Sequence, residues 1–341
     1  MDAILYAETV DFRPLQRLFG DRLKLNEPLA RFTAARIGGP ADAFIQADSA
    51  EGLSTIVVGL WNSAIPFTVL GGGSNVLVSD RGVRGVVILN RARRYSFELN
   101  SVWAESGVNF GSLARQAAAR GLSGLEWAAG IPGTVGGAVV GNAGAHGGDV
   151  AGSLIMAEIL HLLNVDRPDG EQFRQETWPV EKLEFGYRTS VIKGRRSEPS
   201  KKPSGIEQGL IVLGARFRLE RSNVEAVQAS MDDFVAYRHK TQPPGASMGS
   251  MFKNPPGDYA GRLVEAAGLK GARIGNAEIS PLHGNFFINR GGATAMDVWR
   301  LIELARASVA EHSGIKLELE VELVGEWEDG LEGRRSLDEL K

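Results

Sequence analysis

Two glycine-dense segments carry the first chemical signal. One is Leu70-Gly71-Gly72-Gly73-Ser74-Asn75-Val76; the other is Gly130-Ile131-Pro132-Gly133-Thr134-Val135-Gly136-Gly137, running on to Gly141-Asn142-Ala143-Gly144-Ala145. Glycines let a backbone turn tightly and approach a ligand, and successive N–H groups then cradle phosphate oxygens without a basic side chain. A tight turn, or glycine-mediated packing of elements, would use the same residues. The first segment is neither GxGxxG nor GxxxxGK[ST], so a Rossmann site or a P-loop is not supported there. Single side chains add to this. The guanidinium of Arg188, after Tyr187, is a fixed fork of donors suited to a carboxylate or a developing enolate, although most arginines are solvated surface groups. Ser250 lies in Gly249-Ser250-Met251-Phe252-Lys253-Asn254, where an ordinary turn residue fits equally, and GxSxG is absent because Met248 and Phe252 flank it. Glu318, Glu320 and Glu322 alternate in what reads as a strand, a pattern that usually faces solvent.

The elements that must position these residues follow from periodicity. Helical spacing predicts helices over 12–20, 49–60, 110–120, 224–238, 261–267 and 295–312. Short apolar runs predict strands over 43–47, 67–70, 76–78, 86–89, 157–163, 210–219 and 286–289, and alternation predicts one over 316–324. The polar, basic stretch 194–209 reads as a surface loop. The stretch 127–148 has no formal charge and is long enough for a membrane span, but its repeated glycines and Pro132 argue instead for a buried Gly-rich loop system.

At 341 residues the chain suits two or three domains. Hydrophobic residues at 43% and charged residues at 23% are those of a soluble globular protein. The net charge of −3, from 38 basic and 41 acidic residues, argues against a nucleic-acid binder. With no cysteine there is no disulfide, thiolate metal site or cysteine nucleophile, and the five histidines show no HxxxH or HExxH pairing, so no metal is expected. Met1 to Leu25 carries charges every few residues and no apolar core of a signal peptide.

LGGGSNVLV followed by AAGIPGTVGGAVVGNAGA resembles the UDP-N-acetylenolpyruvoylglucosamine reductase family. ARIGGPAD, FGYRTS, GSMFKNPPGDYAGRLVEAAGLKG, IGNAEISPLHGNFFIN and LELEVELVG extend the likeness over roughly residues 32 to 325. The resemblance implies an α+β chain: an FAD-binding fold of the vanillyl-alcohol oxidase/PCMH type, made of two α/β subdomains, plus a C-terminal α+β substrate domain. The implied divisions are 1–95 and 96–222 for FAD, 223–314 for substrate, 315–327 packing back on the first subdomain, and a charged tail at 328–341.

The resemblance also implies an activity: a cytoplasmic enzyme reducing UDP-N-acetylglucosamine enolpyruvate to UDP-N-acetylmuramate for peptidoglycan precursor synthesis, with non-covalent FAD and with NADPH as hydride donor. FAD would be held by Gly71, Gly72, Gly73, Ser74, Asn75, Gly130, Ile131, Pro132, Gly133, Gly136, Gly137, Asn142, Ala143 and Gly144. Arg188 would hold the substrate carboxylate. Ser250 would give the proton, supported by a nearby cation, for which Lys253 is closest in sequence. Glu320 would act beside Arg188, with desolvation favouring its protonated form. Tyr187, Lys240, Lys253 and Asn254 would contact substrate. Here Leu319 stands where the family pattern has proline, and the chain lacks the insertion that carries a substrate-covering tyrosine, so it resembles the shorter, second subclass. The expected protein inserts in no membrane and is a monomer or weak oligomer. The rival readings are an FAD-dependent alcohol oxidase of the same superfold, with His146 as flavin tether, and a nucleotide-binding module without turnover.

Overall fold

The computed structural model describes residues 10–163, 173–197 and 209–327. A four-stranded sheet opens the chain in the order Lys24–Pro28, Pro40–Ala47, Val83–Asn90, Phe67–Leu70, antiparallel at the first pair and parallel at the other two. Pro40–Ala47, the helix Ala50–Asn62 and Phe67–Leu70 form the strand–helix–strand unit read from the sequence. Ser49 starts that helix by accepting from the Gly52 N–H at 3.0 Å. A five-stranded antiparallel sheet follows, ordered Phe173–Pro179, Leu154–Leu162, Leu210–Arg218, Ser101–Glu105, Tyr95–Glu98. Leu53, Ile56, Val57 and Leu60 of the helix Ala50–Asn62 share one core with Val86 and Ile88 of the first sheet and Leu160, Leu162, Ile211 and Leu213 of the second. The helix is therefore a common wedge between the two sheets. Glu105, fully buried, fixes it there by accepting from Ala50 N (3.0 Å) and from the Arg94 backbone (2.7 Å) and side chain (2.9 Å).

The third sheet runs Ala246–Ser250, Phe286–Asn289, Ala277–Ile279, Arg273–Ile274. It is covered by the helix Ala295–Ser313, whose Val298, Leu301, Ile302, Ala305 and Val309 form a buried stripe at helical spacing. Each large aliphatic side chain buried in this way contributes about 1.5–3 kcal/mol. The helix is tied to the first part of the chain at its start, where both carboxylate oxygens of Asp80 accept from Ala295 N and Met296 N at 2.8 and 3.0 Å.

Three expectations are corrected. The alternating segment 316–324 is a strand only over Glu322–Val324, which pairs in parallel with Val76–Val78. Upstream of that, Leu319 makes an isolated bridge to Phe252, because the segment's backbone partners come from two different elements. The stretch 127–148 is not all loop. Val135–Gly141 is a helix in spite of Gly136 and Gly137, since Val135, Gly136, Ala138, Val139 and Val140 are buried and packing overrides weak propensity. The loop read over 194–209 begins later, because Val191–Ser197 is helical; its remainder, 198–208, and the tail 328–341 lie outside the described residues. Among the described residues no helix is long and apolar enough to cross a membrane.

Candidate active site

The two Gly-rich segments face each other across 60 residues of sequence. A Cβ on Gly72 would lie 2.8 Å from Gly133 Cα, and one on Gly71 would lie 2.4 Å from Thr134 Oγ1. Glycine is required at 72 because backbone meets backbone there, whereas at 71 the neighbour is the Thr134 side chain. Ser74 Oγ spans the pair by donating to the Pro132 carbonyl at 3.2 Å. Between them and the third sheet opens a cavity of about 490 Å³, within the range of small-molecule and cofactor sites.

Of the residues expected to hold FAD, Gly71 to Asn75, Ile131, Pro132, Gly133, Gly136, Gly137, Ala143 and Gly144 line this cavity. Gly130 and Asn142 stand behind the wall. Asn142, in the left-handed conformation at φ 44°, ends the helix Val135–Gly141. It also donates from Nδ2 to the Gly186 carbonyl (2.9 Å) and accepts from Ala151 N (3.0 Å). Among the described residues the amides of Gly72, Gly73 and Ser74 donate to no protein acceptor. Consecutive free N–H groups on a cavity wall are a nest for phosphate oxygens. A Cβ on Gly141, also in the wall, would meet no protein atom within 4 Å, so this surface is open for a flat group. The residues present fit an FAD.

Arg188 sits in a tight turn closed by reciprocal backbone bonds between Gly186 and Thr189 (3.1 and 3.2 Å). Its φ of +57° is unfavourable for a side-chain-bearing residue. The turn is held by Asn142 and by Ser190 Oγ, which donates to the Val140 carbonyl at 2.6 Å. Arg188 Nη2 donates to the Gly144 carbonyl (2.9 Å), and Nε lies 2.9 Å from Glu320 Oε1. The Nε–H is not aimed at that oxygen, so the contact is an ion pair rather than an aligned hydrogen bond.

Glu320 reaches the cavity because its backbone is gripped from two sides. Its N–H donates to the Met251 carbonyl (2.9 Å), and its carbonyl accepts from Asn75 Nδ2 (3.0 Å), 245 residues away in sequence. Lys253 N donates to the Glu318 carbonyl (2.9 Å), completing the lacing. Burial pushes the Glu320 carboxyl above its ordinary range, opposed by the charges of Arg188, Lys193 and Lys253. The three alternating glutamates end up in different surroundings. Glu318 is exposed and pairs with Lys253 Nζ (3.2 Å); Glu322 pairs with Lys193 Nζ (3.4 Å) at the cavity wall.

Ser250, at the end of Ala246–Ser250, lines the cavity together with Arg188 and Glu320. It also lines a second cavity of about 380 Å³, shared with Asn254, Tyr259, Arg262, Glu265 and His283. The other expected substrate contacts lie elsewhere. Lys253, engaged with Glu318, and the exposed Lys240 line neither cavity. Tyr187 is exposed; its hydroxyl accepts from Asn254 N at 3.4 Å. Sequence reasoning missed Lys193, Arg238, Gln242 and Thr134 in the wall. Only Thr134, inside a Gly-rich motif, carried a local signal.

A family model described as the C-terminal domain of UDP-N-acetylenolpyruvoylglucosamine reductase matches residues 240–324, and one described as an FAD binding domain matches residues 41–175. These matches bear out the expected fold class. The chain is 43% identical over 306 residues to a UDP-N-acetylenolpyruvoylglucosamine reductase from Chloroflexus aggregans, covering 89% of this chain and 97% of the relative. It is 42% identical over 302 residues to the enzyme of that name from Bacillus velezensis, covering 88% and 93%. The crystal structure of the reductase from Thermus caldophilus superposes with a TM-score of 0.69 at 36% identity, covering 89% of this chain and 98% of that one. The chain belongs to the UDP-N-acetylenolpyruvoylglucosamine reductase family.

Proposed function

We infer that this protein reduces UDP-N-acetylglucosamine enolpyruvate to UDP-N-acetylmuramate with NADPH and FAD, in peptidoglycan precursor synthesis. The carrying observation is the convergence of Arg188, Glu320 and Ser250 on the cavity that both Gly-rich segments line. When bound, FAD supplies hydride transfer from NADPH to the enolpyruvyl double bond. Hydride added at C3 leaves an electron pair on C2 that is shared with the carboxylate. Arg188 meets that charge with its fork of donors, held in place by the Gly144 carbonyl and the 186–189 turn. Glu320, whose carboxyl burial pushes above its ordinary range, stands beside Arg188 where the substrate carboxylate would lie. Ser250 delivers the proton to C2, which closes the saturated lactyl ether. The amides of 72–74 and the walls at 131–137 and 141–144 hold the flavin nucleotide without a covalent tether. Asn254, beside Ser250 in the second cavity, contacts the substrate.

In this reading the chain divides at about 95, 222 and 314, acts in the cytoplasm and is a monomer or weak oligomer. The alcohol-oxidase alternative is not favoured, because the relatives that match nearly the whole chain carry the reductase name. The test is NADPH consumption by the purified holoprotein with and without the enolpyruvyl substrate. Turnover that depends on the substrate, with lactyl ether as product and loss of at least ~100-fold in Ser250→Ala with FAD retained, supports the reading. A yellow protein that ignores the substrate overturns it.

A further inference from the structure

Arg238 lies in the last turn of the helix Val224–Thr241 and lines the large cavity. Among the described residues its side chain has no ion pair and makes no hydrogen bond. Burial pushes its pKa down, with no carboxylate nearby to oppose the shift. The two carboxylates of the cavity wall are taken already, Glu320 by Arg188 and Glu322 by Lys193. A half-buried guanidinium facing a cavity without a counter-charge is unfavourable until an anion fills the fork.

The surroundings are built for that arginine. Gly130 has φ +73°, and a Cβ there would lie 3.2 Å from Arg238 Cδ, so glycine leaves room for the stem. Beside it His146 occupies, with Gly147, the turn of a two-residue hairpin joining Gly144–Ala145 to Gly148–Asp149. The His146 ring stacks on Phe234 at 4.3 Å and 15° and meets Tyr237 edge-on at 5.7 Å. Both aromatics belong to the helix that carries Arg238. Nε2 of His146 is buried with no hydrogen-bond partner among the described residues. Burial first, then the charge of Arg238, push the pKa of this ring down. The pair thus offers one cationic fork and one buried, unpartnered ring nitrogen, next to the Gly130–Gly133 loop.

We propose that Arg238, with His146, is a phosphate-binding position for a nucleotide ligand of this cavity. Its chemistry is recognition of a phosphate or diphosphate, whether carried by FAD, by the reduced dinucleotide or by the UDP-sugar. The proposal rests on the function inferred above for the ligands the cavity takes. It adds a residue outside the Gly-rich motifs and outside the Arg188–Ser250–Glu320 group.

The test uses the holoprotein and its Arg238→Gln and Arg238→Lys variants. FAD dissociation is followed by flavin fluorescence, and binding of NADP and of UDP by perturbation of the flavin spectrum. Losing a charge-assisted fork weakens one of the three by about ten- to a hundredfold in Arg238→Gln. Arg238→Lys keeps the charge but not the fork and falls between the variant and the native protein. The ligand that weakens identifies the source of the phosphate. All three affinities within about twofold of the native protein would overturn the proposal, as would equal weakening of all three with a lowered melting temperature, which marks a structural role. If Arg238→Gln fails to fold, the Lys variant and His146→Ala decide by the same criteria. Native protein that binds these ligands without reducing the enolpyruvyl substrate overturns the reductase reading, while the Arg238 comparison still decides this proposal.

Discussion

Asn285 holds the strand end that presents Ser250, and its removal is the sharpest test of how the site is built. The ladder between Ala246–Ser250 and Phe286–Asn289 shifts register between Ser247 and Ser250 and ends at the pair Ser250–Phe286. Asn285 replaces the missing rungs. Its Oδ1 accepts from Phe252 N and its Nδ2 donates to the Phe252 carbonyl, both at 2.8 Å, while its own carbonyl accepts from Met251 N at 2.8 Å. Met251 in turn accepts from Glu320 N, so one residue, through side chain and backbone together, ties the chain after Ser250 to the segment that carries Glu320. Phe252 is fully buried and Asn285 is 3% exposed, so water cannot replace the lost partners. Asn285→Ala orphans one buried donor and one buried acceptor at about 1–3 kcal/mol each, or about 2–6 kcal/mol together. Amide exchange read on peptides spanning 246–254 would accelerate by about 30-fold or more, at about 1.4 kcal/mol per factor of ten. Asn285→Asp keeps the Phe252 N–H bond but sets a carboxylate against the carbonyl, so it restores only part of the protection. With the enzyme working as inferred, reoxidation of the reduced holoprotein by substrate slows while reduction by NADPH stays near the native rate. Unchanged exchange over 246–254 in Asn285→Ala would refute the clamp.

Two further outcomes follow from the same geometry. Burial raises the Glu320 carboxyl, so the folded state disfavours its ionised form; its contribution to stability is complete below the ordinary carboxylate range and lost as pH rises through the folded value. Melting temperatures of the native protein and Glu320→Gln, compared from about pH 4 to pH 8, should show the native protein losing ground to the variant as pH rises; a gap that is constant or moves the other way contradicts the assignment. Gly72→Val drives a Cβ against Gly133 Cα, backbone on backbone, and parts the two Gly-rich segments. The purified variant should retain less than about a tenth of the native flavin absorbance, and a full complement of flavin would show that the approach of the two segments is not needed for binding.

Much of this protein is legible in its sequence. The wedge helix appears as apolar spacing over 49–60, and the strands at 67–70, 76–78 and 286–289 appear as apolar runs at the observed positions. The Gly-rich motifs reveal close backbone approach because only glycine tolerates a neighbour where a Cβ would sit. Arg188, Ser250 and Glu320 were chosen by motif resemblance, and the fold brings all three to one cavity. What the sequence hides are features set by long-range partners. Alternation at 316–324 promised a strand, but the segment divides its hydrogen bonds between Met251–Lys253 and Asn75, so most of it is not one. The same lacing, and no local pattern, brings Glu320 and Glu322 to the cavity and leaves Glu318 outside it. Lys193 and Arg238 sit in polar helical stretches like any solvated cation, and no local spacing marks them as cavity residues. Sequence spacing reports which face of one element is apolar; which elements meet, and which charge is left facing a cavity without a partner, is decided only when distant segments close on one another.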